Sequence, residues 1–180
     1  HSPDPGKIQR DIYEYINTHD KIVGLCAAGI TFQDITFSDK QFYGCNFMNC
    51  TFKNIHSKNL TSKLSIFDFA VFSDCKLIDS NMKNSSVAGA TFFHTIFTGS
   101  ELFQTNFNGI NAFQSSFDDS NLKSSTFIKS TLENTSFRNC NIKNTNFLES
   151  KRTNVSFKMS NDKEAIIVLT EEEIKNQKNS

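Results

Sequence analysis

The chain has 180 residues, enough for one domain with its own core, and its aromatic content is lopsided: 19 Phe against 3 Tyr and no Trp, with only 2 Pro. Nineteen basic and nineteen acidic side chains cancel, which excludes the overall field of a non-specific nucleic-acid binder, a polybasic membrane protein or a strongly acidic decoy of DNA. Charge, where it matters, must be local. No apolar run approaches the length of a membrane-spanning helix. The start His1-Ser2-Pro3-Asp4-Pro5-Gly6 lacks the apolar stretch of a signal peptide and reads as a flexible leader or an expression remnant.

Residues 7 to 18 carry Ile8, Ile12, Tyr15 and Ile16 at helical spacing, which predicts an amphipathic helix lying over the first layer of whatever follows. From residue 30 the pattern changes to a period of five. Phenylalanine falls at 32, 37, 42, 47, 52, 67, 72, 92, 97, 107, 117, 127, 137, 147 and 157, so fifteen of the nineteen share one frame. Residues 30 to 159 divide into 26 pentapeptides without an insertion. Their central residue is Phe, Leu, Ile, Met or Val in 22, and the residue two before it is Ala, Ser, Cys or Thr in 19. Asn or Thr favours the place just before the centre, as in Cys45-Asn46-Phe47 and Thr145-Asn146-Phe147. A period of five suits neither a helix nor a strand, so the chain must turn a corner every five residues to keep large and small positions inward.

The exceptions refine this. Ser57, Ser62 and Ala112 are small centres, and each follows by two residues a bulky Ile55, Leu60 or Ile110. Large and small have traded places, which conserves volume and predicts an unbroken coil with no loop at 55 to 66. Lys40 and Arg152 have no such compensation; Arg152 reads as fraying near the last coil, and Lys40 finds no explanation in the sequence. Beyond the repeats, Ala165-Ile166-Ile167-Val168-Leu169 predicts a short strand, and Thr170 with Glu173 has the spacing of a capping box opening a final two-turn helix.

This pattern resembles the pentapeptide-repeat family, over about 130 of the 180 residues. The resemblance implies an all-β solenoid: a right-handed quadrilateral β-helix with four pentapeptides to the coil, about six to seven coils, and short N- and C-terminal helical caps. The domains then read as a leader and capping helix at 1–20, the β-helix at 21–162, and a strand and helix cap at 163–180.

Sites for chemistry are scarce. His1, His19, His56 and His94 are scattered, with no metal-ligand spacing and no nucleophile motif beside them. Cys45, Cys50, Cys75 and Cys140 occupy the small inward position, so they are read as packing residues, neither a disulfide framework nor a zinc site. Asp118 and Asp119 are adjacent on a turn, where carboxylates more often face water than act as an acid and base pair. Gly44, Gly89, Gly99 and Gly109 end their pentapeptides and are corner residues, not a phosphate loop. The expectation is a protein that is not an enzyme and holds no cofactor or metal.

With four pentapeptides to a coil, residues twenty apart stack, and the outer walls can be read as columns. On the wall of Phe42 one column runs Tyr43, Lys63, Lys83, Phe103, Lys123, Lys143, Lys163. This candidate basic column suits phosphates, anionic lipid or an acidic partner groove, or serves as a solubilising face that blunts edge pairing. Beside it Asn81, Asn121 and Asn141 stack as structural hydrogen-bonding residues. On the wall of Phe47, Met48, Ile66, Phe69, Ile128 and Leu148 take outward positions and form the candidate partner-binding wall; Phe93 and Phe113 pair on the wall of Phe32.

The function expected is a rigid, non-catalytic protein–protein interaction scaffold working on a protein partner, with a bacterial effector or regulator as the narrower expectation. A homodimer through the C-terminal cap is a further expectation, with no direct DNA binding and no membrane span. The location expected is cytoplasmic, with a secreted effector as the alternative. The resemblance also offers a second function, a DNA-mimic regulator of DNA gyrase or topoisomerase of the quinolone-resistance type. Against it stand the neutral charge and the lysine column, because such mimics are strongly acidic, and the absence of room in the frame for their projecting loops.

Overall fold

The computed structural model describes residues 4–179; His1, Ser2 and Pro3 of the expected leader lie outside the described residues. Asp4 to Gly6 are not leader. Helix α1 spans Pro5–Thr18, with Pro5 in its first turn and the Asp4 side chain accepting from the Gly6 N–H (3.0 Å). Its buried face differs from the expected one. Ile16 is buried and Ile12 and Tyr13 pack beside it on the core, whereas Ile8 and Tyr15 are exposed.

The chain then coils with a constant register. Every strand pair and every isolated bridge is parallel, and partners are twenty residues apart: Lys21 with Gln41, Phe52 with Phe72, Asn121 with Asn141. Four pentapeptides therefore make one coil. The longest ladder, on the wall of Phe32, joins seven three-residue strands from Thr31–Gln33 to Lys151–Thr153; the walls of Phe42 and Phe37 carry three strands each, and the wall of Phe47 is held by single bridges. Strands this short follow from the corners. Every fifth residue from Gly24 to Met159 has positive φ, six of them Gly and twenty-two not, which marks out seven coils and two more pentapeptides than the 30–159 frame contained. The left-handed conformation costs an ordinary residue roughly 1–2 kcal/mol and Asn or Asp less, which is why those two dominate the corners.

Inside, the centres form four stacks. Phe52, Phe72 and Phe92 lie face over face at 4.8 and 4.9 Å, Phe107, Phe127 and Phe147 at 4.8 and 5.0 Å, and neighbouring stacks meet edge to face, as Phe117 and Phe127 do at 5.6 Å and 87°. The small position has a second duty. Its hydroxyl or thiol donates to the carbonyl of the centre twenty-three residues earlier, as in Thr145 to Leu122 (2.8 Å), and accepts from the N–H of the small residue one coil back, as in Thr105 N to Ser125 Oγ (3.0 Å). This ladder explains why Ser, Thr and Cys dominate there.

The exchange of large and small at 55 to 62 holds without a loop: His56–Lys58 and Thr61–Lys63 are strands, and Ile55 and Leu60 are buried. The exchange is imperfect, leaving a void of about 20 Å3 bordered by Ser62, Phe42, Phe67 and Met82, and the Ser62 hydroxyl has no partner.

Both uncompensated charges are cap anchors. Lys40 Nζ donates to the carbonyls of Ile16 (2.7 Å) and His19 (2.8 Å) at the end of α1 and sits 3.6 Å from Asp20. Tyr13 completes that cap: its ring stacks on Phe32 at 5.4 Å, and its hydroxyl donates to Thr31 O and accepts from Gln33 N, closing the first edge of the long ladder. At the other end Arg152 is not frayed. Its side chain is 6% exposed, grips Glu173 through Nε and Nη2 (both 2.9 Å), and donates to Ser150 Oγ and Val168 O. Glu173 also closes the capping box with Thr170 at the start of α2, Glu171–Lys178. The expected strand at 165–169 reduces to one bridge, Ile166 to Asn146, preceded by a 3-10 helix, Asp162–Glu164, because the chain there must leave the coil to reach Arg152.

Arg152→Ala leaves a buried carboxylate unpaired and should cost about 3–5 kcal/mol, with hydrogen exchange showing α2 released; Arg152→Met with Glu173→Leu should recover most of the loss. If α2 keeps full protection in the single variant, Arg152 is not the anchor. Ser62→Val removes an orphaned hydroxyl and fills the void, so it should raise stability by about 1 kcal/mol in calorimetry; an equal loss would mean the void is already filled.

Candidate functional site

Polar groups of the interior are largely committed to packing. Cys50 Sγ donates to Ala27 O (3.0 Å) and Cys140 Sγ to Phe117 O (3.1 Å). Burial pushes the Cys50 thiol up to about 11 and the Cys140 thiol up to about 12, and raises Cys45 and Cys75 as well. Thiols so held are poor nucleophiles near neutral pH. Cys26 alone is exposed. Among the described residues, no group of three or more His, Cys, Asp or Glu is placed to hold a metal ion, and no helix is long and apolar enough to cross a membrane.

The remaining candidates stand apart. His56 is exposed, and His94 lies on a corner with Nδ1 3.5 Å from Asp74. Asp118 accepts from the Arg138 N–H (2.8 Å) and Ser136 Oγ (2.5 Å), and Asp119 from Asn139 Nδ2 (2.9 Å), so each stitches its coil to the next.

The outer walls are where side chains are left over. The five residues of the candidate partner wall fall into two groups. Met48, Ile66 and Phe69 sit together on successive coils near the N-terminal end. Ile128 and Leu148 follow three and four coils later and continue through Val168, beside Ile166. Between the groups the wall presents Ala88 and Asn108. Phe69 occupies a corner at φ +60°, is 59% exposed, and lays its ring over Gly89, where a Cβ would come within 2.7 Å of Phe69 Cε1. On the wall of Phe32, Phe93 and Phe113 stack outside the coil at 5.4 Å.

Lys63, Lys83, Lys123 and Lys143 stand in register on one wall, with Phe103 between Lys83 and Lys123. Lys163 stands past its end in the 3-10 helix. The neighbouring Asn81, Asn121 and Asn141 each accept from the backbone N–H two residues on, that of the adjacent lysine, which holds the column's backbone in shape. Two exposed aliphatic residues of this wall escaped the sequence reading: Val23, which precedes the frame as it was drawn from residue 30, and Leu64, on a corner where Asn or Gly would serve. For Leu64 the available signal was a bulky residue at the last place of a pentapeptide.

The family model for pentapeptide repeats matches in eight copies, at residues 70–109 and 115–149. Over those residues the chain consists of pentapeptide repeats. It is similar to a solved, trypsin-treated variant of QnrB1, a plasmid-mediated fluoroquinolone resistance protein, at 12% identity over 78% of this chain and 71% of that one, TM-score 0.48. It is similar to the pentapeptide repeat protein Rfr23 from the cyanobacterium Cyanothece 51142, at 13% identity over 83% and 99% of the two chains, TM-score 0.37. HetL, involved in heterocyst differentiation regulation in the cyanobacterium Nostoc sp. strain PCC 7120, is 11% identical over 87% and 95%, TM-score 0.26. Among curated proteins no sequence matches.

A thiol reagent at pH 8 should label Cys26 fast and the other four cysteines only on unfolding, because burial shields all four thiols and raises their pKa, to about 11 for Cys50 and about 12 for Cys140. Mass spectrometry of the native, labelled chain reads this, and rapid labelling of Cys140 would show that the coil opens.

Proposed function

We propose that this chain is a non-catalytic scaffold, a rigid rod of seven coils that presents its walls to a protein partner, with Met48, Ile66 and Phe69 as the principal contact. The observation that carries the reading is Phe69. An aromatic ring on a left-handed corner gains nothing from the backbone, is mostly in water, and is fixed against Gly89 by the neighbouring coil. Rigid exposed aromatics lose little entropy on binding and tend to anchor interfaces. The commitment of most buried hydroxyls and thiols, though not those of Ser62 and Ser80, to hydrogen bonds with the backbone supports the non-catalytic part.

A second reading concerns pairing of two copies. Leu148, Ile166 and Val168 are exposed side by side at the last coil, where the C-terminal segment ends the wall, and this is the surface a dimer through the cap would bury. The topoisomerase alternative has less behind it. Asp39, Asp79 and Asp119 line one corner two coils apart, but the wall beside them carries Lys58, Lys76, Arg138 and Lys158, which breaks up the continuous negative surface that imitation of DNA needs.

Phe69→Asn separates binding from folding. Asn suits the left-handed corner, so the variant should melt at or above the wild-type temperature while losing at least tenfold in affinity for a partner captured by the wild type; unchanged affinity would remove Phe69 from the contact. Gyrase supercoiling titrated with the protein, with and without a quinolone, should show neither inhibition nor protection, and either effect at low micromolar concentration would replace the scaffold reading with DNA mimicry.

A further inference from the structure

The wall of Phe42 carries its lysines in one column at one place of the repeat, and it is independent of the apolar contact just described. Its outward residues include six lysines, the four of the column with Lys21 and Lys163, against Glu101 and Glu164, with Asp20 and Asp162 at its two ends and Asp39, Asp79 and Asp119 on the corner it shares with the wall of Phe37. The whole chain is neutral, so this is a local field. None of the six makes an ion pair among the described residues, whereas Lys7, Lys40 and Lys129 elsewhere do. Both glutamates accept instead from asparagine side chains, Glu101 from Asn121 and Glu164 from Asn161.

Like charges stacked in register oppose folding. Lys63 with Lys83, and Lys123 with Lys143, stand one coil apart, about 4.8 Å, on a parallel ladder, and directly opposed like charges destabilise a sheet. A column whose lysines pair with no carboxylate does nothing for the stability of the rod. It presents a plane of positive charge about four coils long, because the constant register holds every side chain of the column at one height.

We propose that this wall docks on an anionic lipid surface. Three observations select a lipid plane over other polyanions. Val23 and Leu64, 67% and 66% exposed, project beside the lysines as isolated aliphatic side chains suited to the headgroup boundary. Single-stranded nucleic acid would need open aromatic faces to stack on, yet the ring of Tyr43 carries the Lys21 ammonium at 5.5 Å, and Phe103 is half-buried. Protein interfaces are depleted in lysine and bury a contiguous apolar centre, and here the apolar residues are scattered among charges. A flat, rigid wall meets a plane with all its lysines at once, and each lysine near an anionic leaflet strengthens attachment by about fivefold.

The test is sedimentation of the protein with vesicles of phosphatidylcholine alone and of equal parts phosphatidylcholine and phosphatidylglycerol. The wild type should bind the anionic vesicles only, and let go in about 1 M salt, where screening shortens the field to about 3 Å. Replacing Lys83, Lys123 and Lys143 by Gln should weaken binding about 100-fold, whereas replacing Lys53, Lys58 and Lys76 by Gln, the same charge lost from two other walls, should leave it close to wild type. Leu64→Asn should weaken it severalfold while stabilising the corner. Thermal melting shows that both triple variants are folded. Binding to neither vesicle, equal binding to both, equal loss in the two triple variants, or retention on polyglutamate in place of the vesicles overturns the proposal, the last in favour of an acidic polypeptide.

Discussion

Twenty residues separate every hydrogen-bonded pair of backbones in the coil, and the rest of the molecule depends on that spacing being held. Parallel pairing between coils satisfies the backbone polar groups of the walls, and it brings like position over like position without end. A ring stacks on a ring, a hydroxyl reaches the carbonyl of the coil before it, and a corner asparagine reaches the corner aspartate below, as Asn54 does Asp34 and Asn59 does Asp39. One inserted residue would put every later side chain one place out. The cost of the arrangement falls on the corners, where twenty-two residues other than glycine hold positive φ. No single corner is stable alone; each is fixed by the neighbours above and below, which is the one-dimensional cooperativity of repeat proteins.

A stack with this logic has no internal reason to stop, so its ends are built from residues that disobey it. Lys40 takes a small position and Arg152 a central one, and in each case the charge points along the coil axis to a cap instead of into the core. The two solutions are chemically different. Lys40 meets helix-end carbonyls at a partly wet site, whereas Arg152 and Glu173 are both buried and hold each other in bidentate geometry. Tyr13 supplies a ring and a hydroxyl in place of the missing first rung.

Because packing takes up the interior, variation among the four walls is where function has room. The wall of Phe47 offers apolar side chains at its two ends, and the wall of Phe42 offers unneutralised lysines with Val23 and Leu64 among them. They face different directions on one rigid body. A protein partner and an anionic surface would therefore not compete for the same face, and the scaffold could hold one against the other.

Periodicity made the coil legible from sequence: fifteen phenylalanines in one frame, a small residue two places earlier, and the exchange at 55 to 62 all describe the same inner layer, and all were read from spacing because that layer is one-dimensional. The corner glycines and the capping box of Thr170 and Glu173 were legible for the same reason, since each is a local conformational demand. Lys40 and Arg152 could be seen as breaks but not as anchors, because their partners lie 21 to 24 residues away in segments outside the repeat. Likewise the buried face of α1 turned from Ile8 and Tyr15 to Tyr13, since the end of the coil, and not the helix's own periodicity, decides which side is covered. The columns could be written down from the sequence, but whether Met48 continues to Leu148, and whether a lysine finds a carboxylate, depends on which side chains reach across corners. Sequence by itself determined the register and the core through a repeating steric demand; only the tertiary structure decided the caps and the walls, which rest on contacts that do not repeat.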